Sequence, residues 1–143
     1  MQELVSIIIT AYKAEELIHR SVLSALNQTH QNLEILVISD DLVDYKKILL
    51  EKNISDGRIK FISTGMVGAG QAKALNLGLE KANSNYIANL DFDDEFHPQR
   101  IKILLPLVKK YGAATSGLEF IEDDTKIELN NLGINFKKDF LLF

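Results

Sequence analysis

Two stretches of this chain are almost unbroken in apolar character: Leu4-Val5-Ser6-Ile7-Ile8-Ile9-Thr10 and Leu33-Glu34-Ile35-Leu36-Val37-Ile38-Ser39. A strand with one wet face alternates apolar and polar residues. A run with no polar face to offer reads as a strand buried on both sides, the hallmark of a parallel sheet sandwiched between helices. The intervening residues supply such a helix, expected over Glu15–Asn27, because Ile18, Val22, Ala25 and Leu26 fall at i, i+4, i+7 and i+8. The alternation continues. A short helix is expected near Asp44–Lys52, a strand at Ile59–Ile62, and a glycine-rich loop at Gly65-Met66-Val67-Gly68-Ala69-Gly70. Gln71–Ala82 keeps helical spacing through Ala72, Leu75, Leu79 and Ala82, and Tyr86–Leu90 reads as the next strand.

Pro98 suits the first turn of a further helix carrying Ile101, Leu104, Leu105 and Val108 on one face. Pro106 inside that pattern predicts a kink or an early end, and Gly112 a stop. Ala113–Ile121 and Lys126–Leu129 pair naturally as a hairpin around Asp123-Asp124. Strand–helix alternation of this kind gives an α/β fold with a mostly parallel central sheet flanked by helices. With 143 residues, no repeat and no linker-like tract, residues 1–143 are expected to form a single domain able to bury a core.

Composition excludes several functions. A net charge of −4 argues against a nucleic-acid surface, which needs clustered cations. With no cysteine there is no disulfide, thiolate chemistry or cysteine-held metal. The N-terminal residues lack a signal-peptide pattern, and no apolar run approaches the roughly 18 residues of a membrane span. The expected location is cytoplasmic, with peripheral attachment to the inner face of a membrane left open.

Chemistry concentrates where strands end. Tyr86–Leu90 runs directly into Asp91-Phe92-Asp93-Asp94. Carboxylates so closely spaced repel one another unless a cation or proton relieves them, and hard oxygen ligands of this kind suit Mg²⁺ or Mn²⁺. Thr10 and Asp40 close two other strands, so three strand ends converge on the rim where open α/β sheets bind ligands.

These residues resemble a known family. Val5-Ser6-Ile7-Ile8-Ile9-Thr10-Ala11-Tyr12, Ser24-Ala25-Leu26-Asn27-Gln28-Thr29 and Glu34-Ile35-Leu36-Val37-Ile38 are similar to the opening of family 2 glycosyltransferases with the Rossmann-like GT-A fold. Gly70–Leu79 resembles that family's helix-opening motif, and Leu90-Asp91-Phe92-Asp93-Asp94 its Asp-x-Asp segment. The resemblance implies transfer of a sugar from a nucleotide-diphosphate donor (UDP-, GDP- or dTDP-linked) to an unknown glycan, lipid or protein acceptor, assisted by Mg²⁺ or Mn²⁺. By similarity, Thr10, Ala11, Tyr12 and Asp40 would hold the nucleoside, with Lys73 near the diphosphate. Asp91 and Phe92 would contact the nucleotide sugar, and Asp93 with Asp91 would hold the metal.

The chain also departs from the family pattern. Ser39-Asp40-Asp41-Leu42 stands where Asp-Asp-Gly-Ser is usual, and Lys13 where Asn follows the tyrosine. No residue matches the acidic general base of the acceptor half, so the domain is expected to be truncated or unusually short at its C-terminus. A non-catalytic nucleotide-sugar-binding module is the alternative. Dinucleotide binding ranks below both, because Gly68-Ala69-Gly70 lacks the third glycine of the fingerprint.

Overall fold

The unbroken apolar runs become the two inner strands, β1 (Val5–Ala11) and β2 (Leu33–Ser39), with every residue of both buried. They pair in parallel, Val5 opposite Leu33 through Ala11 opposite Ser39. β3 (Ile59–Ser63) adds to the outer side of β2 and β4 (Tyr86–Asp91) to the outer side of β1, also in parallel. The order is β3-β2-β1-β4. The computed structural model describes residues 2–117, 120–122 and 125–127.

Helices alternate with these strands as the periodicity requires. Helix α1 (Ile18–Leu26) buries Ile18, Ser21, Val22 and Ala25. It starts three residues later than the spacing suggests, because Glu15–Leu17 form a turn in which the N–H groups of Leu17 and Ile18 both reach the Ala14 carbonyl. Helix α2 (Tyr45–Glu51) is capped by the Asp44 carboxylate, which accepts from Lys47 N–H at 3.0 Å. Helix α3 (Gln71–Lys81) lies against the sheet through Ala74, which clusters with Ile8, Leu36 and Ile38. Its Gly78 is required for close approach, since a Cβ there would sit 2.6 Å from Ile8 Cγ2.

The chain groups into two compact units, Met1–Lys102 and Ile103–Phe143, and each is described by itself. The first holds the sheet. The second takes most of helix α4 (Arg100–Tyr111) and a short antiparallel hairpin, β5 (Phe120–Glu122) with β6 (Thr125–Ile127). α4 does not end early at Pro106. The proline removes the donor that would reach the Lys102 carbonyl, yet the helix continues to Tyr111. Gly112 then stops it at φ 87°, with its N–H on the Val108 carbonyl. The hairpin is shorter than expected: residues 113–117 carry no regular structure, while Asp123, Asp124 and Leu129 lie outside the described residues.

Within the first unit, two sets of polar fasteners hold the strands together and the segment after β4 to α1. At the N-terminal ends of the strands, Glu34 is 5% exposed and accepts from Ser6 Oγ at 2.5 Å, Lys60 Nζ at 2.6 Å and the Asn83 backbone and side-chain amides at 2.6 and 2.8 Å. Burial alone pushes this carboxyl up, but the Lys60 ammonium, the Ser6 hydroxyl and the Asn83 amides overcome it and hold it at about 2. After the last turn of α1, fully buried Gln28 donates to the Ser24 and His97 carbonyls at 3.2 and 2.8 Å and accepts from Ile101 N–H at 3.1 Å. Thr29 N–H reaches the Pro98 carbonyl and Ser24 Oγ accepts from Phe96 N–H. The segment after β4 is thereby tied to the end of α1.

Candidate functional site

Parallel register decides what meets at the carboxyl rim of the sheet. Thr10 lies opposite both Ile38 and Asp91, so the residues leaving β1, β2 and β4 emerge side by side. They line a cavity of about 460 Å³ walled by Thr10, Ala11, Tyr12, Asp40, Asp91, Phe92 and Asp93, together with Gly68, Gly70, Gln71 and Ala74. Of the residues singled out from sequence, all but Lys73 meet there. Lys73 is exposed on the first turn of α3 and does not line the cavity.

Asp40 is only 4% exposed, and its partners explain why. One carboxylate oxygen accepts from Thr64 Oγ1 at 2.9 Å and Ala69 N–H at 3.0 Å; the other accepts from Gly70 N–H at 2.9 Å. Its own carbonyl accepts from Gly68 N–H at 2.7 Å. The glycine-rich loop is therefore wound around this one residue. Gly65, Gly68 and Gly70 take φ of 78°, 70° and 102°, values that glycine adopts without a Cβ penalty.

The turn carrying Tyr12 is held by a residue that sequence reading passed over. Asp41 accepts from Lys13 N–H at 2.6 Å, Tyr45 Oη at 2.7 Å, Ser39 Oγ at 3.1 Å and Val43 N–H at 3.2 Å. Tyr45 Oη in turn accepts from Ala14 N–H at 3.1 Å. Burial raises the Asp41 carboxyl, but these four donors outweigh it and leave it below its usual range; burial and the Asp41 charge push the Tyr45 phenol up. The missing glycine of this loop is thus compensated. Leu42 accepts a φ of 63° and Lys13 one of 52°, both stabilised by hydrogen bonds to the same carboxylate or beside it. Tyr12 remains 40% exposed at the cavity wall.

On the β4 side, Asp91 accepts from Gln71 Nε2 at 3.2 Å, and its carbonyl accepts from Asp94 N–H, turning the chain after the strand. Partial burial and then the charges of Asp93 and Asp91 push the Asp94 carboxyl above its usual range, against the pull of Arg100. Asp94 does not cap α4, which begins six residues later. On this side of the cavity Asp91 and Asp93 join Asp40 in the lining, and no group of three or more such residues is close enough to hold one metal ion among the described residues. A two-carboxylate oxygen site suits a small hard cation that keeps its remaining positions for water and phosphate. The donor set fits Mg²⁺ or Mn²⁺.

The histidines stay outside this chemistry. His30, in the loop before β2, is buried with its ring bonded to the Glu3 carbonyl at 2.7 Å. Gln71 and Asp41 are the residues the sequence reading missed; Gln71 reaches Asp91 20 positions on and Asp41 takes the Lys13 N–H from 28 positions back, contacts that no local pattern encodes.

Comparison with known proteins agrees with this fold. The family model of glycosyl transferase family 2 matches residues 6–141. An uncharacterized glycosyltransferase of Haemophilus influenzae is 36% identical over 94% of this chain and 42% of its own length. The Escherichia coli UDP-Glc:alpha-D-GlcNAc-diphosphoundecaprenol beta-1,3-glucosyltransferase WfgD is 34% identical over 90% of this chain and 48% of its own. The chain thus spans less than half the length of these curated relatives. Among solved structures, S. aureus TarS 1-349 in complex with UDP-GlcNAc superposes with a TM-score of 0.65 at 21% identity, over 76% of this chain and 32% of that one. The mannosyltransferase PcManGT of Pyrobaculum calidifontis, in complex with GDP-Man and Mn²⁺, gives 0.58 at 20% identity, over 69% and 30%. These two likenesses establish the fold as GT-A. Sequence match, relatives and sheet order agree, and the chain belongs to glycosyl transferase family 2.

Proposed function

We propose that the protein moves a sugar from a nucleotide-diphosphate donor to an acceptor, and that the cavity at the carboxyl rim is the donor site. The observation that carries this reading is the joining, in one cavity, of the β1 exit, the Asp40-wound loop, the start of α3 and two metal-competent aspartates. Thr10, Ala11 and Tyr12 form the wall for the nucleoside, with the exposed Tyr12 ring offering a stacking surface. Asp40 shapes the adjoining wall. Three of its roughly four acceptor positions are taken by the loop, which leaves one for a base N–H.

The diphosphate falls at the N-terminus of α3, where Gly70 supplies no side-chain cap and the free N–H groups favour an anion. Lys73, exposed on that first turn, adds positive charge from outside the cavity wall. Asp91 contacts the ribose and, with Asp93, holds Mg²⁺ or Mn²⁺; Phe92 packs on the nucleotide sugar. When bound, the ion acts as a Lewis acid that stabilises charge developing on the leaving diphosphate. Gln71 fixes the Asp91 carboxylate by donating to one of its oxygens.

UDP-, GDP- and dTDP-linked sugars are the candidate donors. WfgD is named for UDP-Glc, TarS was solved with UDP-GlcNAc and PcManGT with GDP-Man and Mn²⁺. The acceptor is a glycan, a protein or a lipid-linked sugar, the last being the kind in WfgD's name. No described helix is long and apolar enough to cross a membrane. The lipid-linked acceptor in WfgD's name supports placing the protein in the cytoplasm with peripheral access to the inner membrane face. The cavity's three acids are all assigned to donor or metal, which favours, as a second reading, a nucleotide-sugar-binding module without turnover.

Thermal unfolding against a panel of nucleotide diphosphates, with Mn²⁺ or with chelator, tests the donor site. A ligand at ~100 times its Kd stabilises by roughly 2.7 kcal/mol. The expected result is a shift for UDP, GDP or dTDP that chelation removes. No shift with any of them overturns the reading, and sugar transfer by the full-length protein separates enzyme from binding module.

A further inference from the structure

Helix α4 carries two apolar faces where a helix packed on one core needs one. Ile101 is buried, with Leu104, Leu105 and Val108 half-buried on the same side. Ile103, Leu107 and Tyr111 form a second stripe, four residues apart along the helix, and are 55%, 41% and 62% exposed. Apolar side chains exposed singly mean little; three aligned on one helix face call for an occupant.

Charge indicates which occupant. The helix sequence RIKILLPLVKKY contains four cations and no acid, in a chain whose net charge is −4. Arg100 lies 4.7 Å over the Phe96 ring and is half-buried, so it belongs to the core side. Lys102, Lys109 and Lys110 are exposed, with the Lys110 ammonium 4.8 Å over the Tyr111 ring. At 100° per residue Lys110 stands beside this stripe and Lys102 at its edge, while Lys109 falls on the opposite face. An apolar stripe that ends in a tyrosine and is edged by long basic side chains matches the chemistry of a bilayer surface. The stripe enters the acyl boundary, the aromatic ring sits at headgroup depth, and the lysines reach anionic headgroups. A protein partner would need acids to complement the lysines; an anionic bilayer offers these everywhere.

We propose that the Ile103–Leu107–Tyr111 face of α4 docks on an anionic lipid surface. The surface does not depend on the donor chemistry. Under the function proposed above, it adds that the acceptor is met at a membrane, as a lipid-linked sugar would be.

The test is co-sedimentation of the full-length protein with vesicles of neutral phosphatidylcholine alone or mixed with phosphatidylglycerol. Binding is expected only to the anionic vesicles and should weaken as salt rises. The pair Lys102→Gln and Lys110→Gln should partition at least ~10-fold more weakly, since each basic side chain near such a surface contributes roughly fivefold. Ile103→Ser with Leu107→Ser should abolish binding while leaving the thermal midpoint and any nucleotide-induced shift unchanged. Wild-type binding by the lysine pair, or equal binding to neutral vesicles, overturns the proposal. A fall in thermal midpoint of the serine pair would show the stripe covered by the protein itself and overturns it too. So does a lipid-free dimer that the serine pair dissociates, which would make a second copy the occupant. A lost nucleotide shift with vesicle binding intact would instead count against the donor site alone.

Discussion

Two adjacent acids, Asp40 and Asp41, have different jobs, and the difference lies in their partners. Asp40 winds the glycine loop onto the cavity while Asp41 braces the turn that presents Tyr12. Strand-end acids could be picked out from sequence because a polar residue after a buried run has few places to go but the rim. That Asp41 rather than a glycine would secure the loop could not be, since its donors come from Lys13 and Tyr45. Asp93→Asn should lower turnover of the full-length protein by at least ~10²-fold, on the order of 3 kcal/mol of barrier, measured in steady-state assays with Mn²⁺. Gln71→Ala should leave the fold intact but raise the Mn²⁺ concentration needed for half-maximal activity about tenfold or more, the usual loss when a ligand's supporting hydrogen bond is removed. Tyr45→Phe strips a donor from Asp41 and an acceptor from Ala14 N–H, so urea unfolding should show a loss of roughly 1–3 kcal/mol.

Among the elements, β1 and β2 were the most legible, because burial on both faces leaves an unmistakable composition. Helix boundaries were less so. The start of α1 is set by the Ala14 carbonyl capturing two N–H groups, and the persistence of α4 through Pro106 depends on the rest of its turns, neither of which a spacing pattern encodes. Gly78 is the element-scale counterpart. In a free helix Gly→Ala gains about 1 kcal/mol, but here the new methyl would lie 2.6 Å from Ile8 Cγ2 and 3.4 Å from Ile38 Cγ1. Overpacking of this kind costs typically 1–3 kcal/mol, so Gly78→Ala should lose the helix gain and be net destabilising by up to about 2 kcal/mol in denaturant titration.

Over the whole first unit, the rim cavity and the Glu34 network occupy opposite ends of one parallel sheet. Glu34 sits at about 2 when folded, below the ordinary 4.5 of a glutamate. Its contribution is therefore fully present above pH ~4.5 and is lost as pH falls towards 2, an effect on the order of 2–3 kcal/mol. Unfolding free energies measured between pH 5 and 2 should show this loss, and Glu34→Gln should flatten that limb while lowering stability at neutral pH. Sequence alone presented Glu34 as one polar interruption in a buried strand; its meaning came from Lys60 and Asn83, which arrive from other parts of the chain. Locating the strands' strongest polar clasp away from the ligand rim has a practical corollary. If the rim is the donor site proposed above, substitution at Tyr12, Gln71 or Phe92, natural or designed, can shift its preference without unpicking the seam that keeps the strands in register.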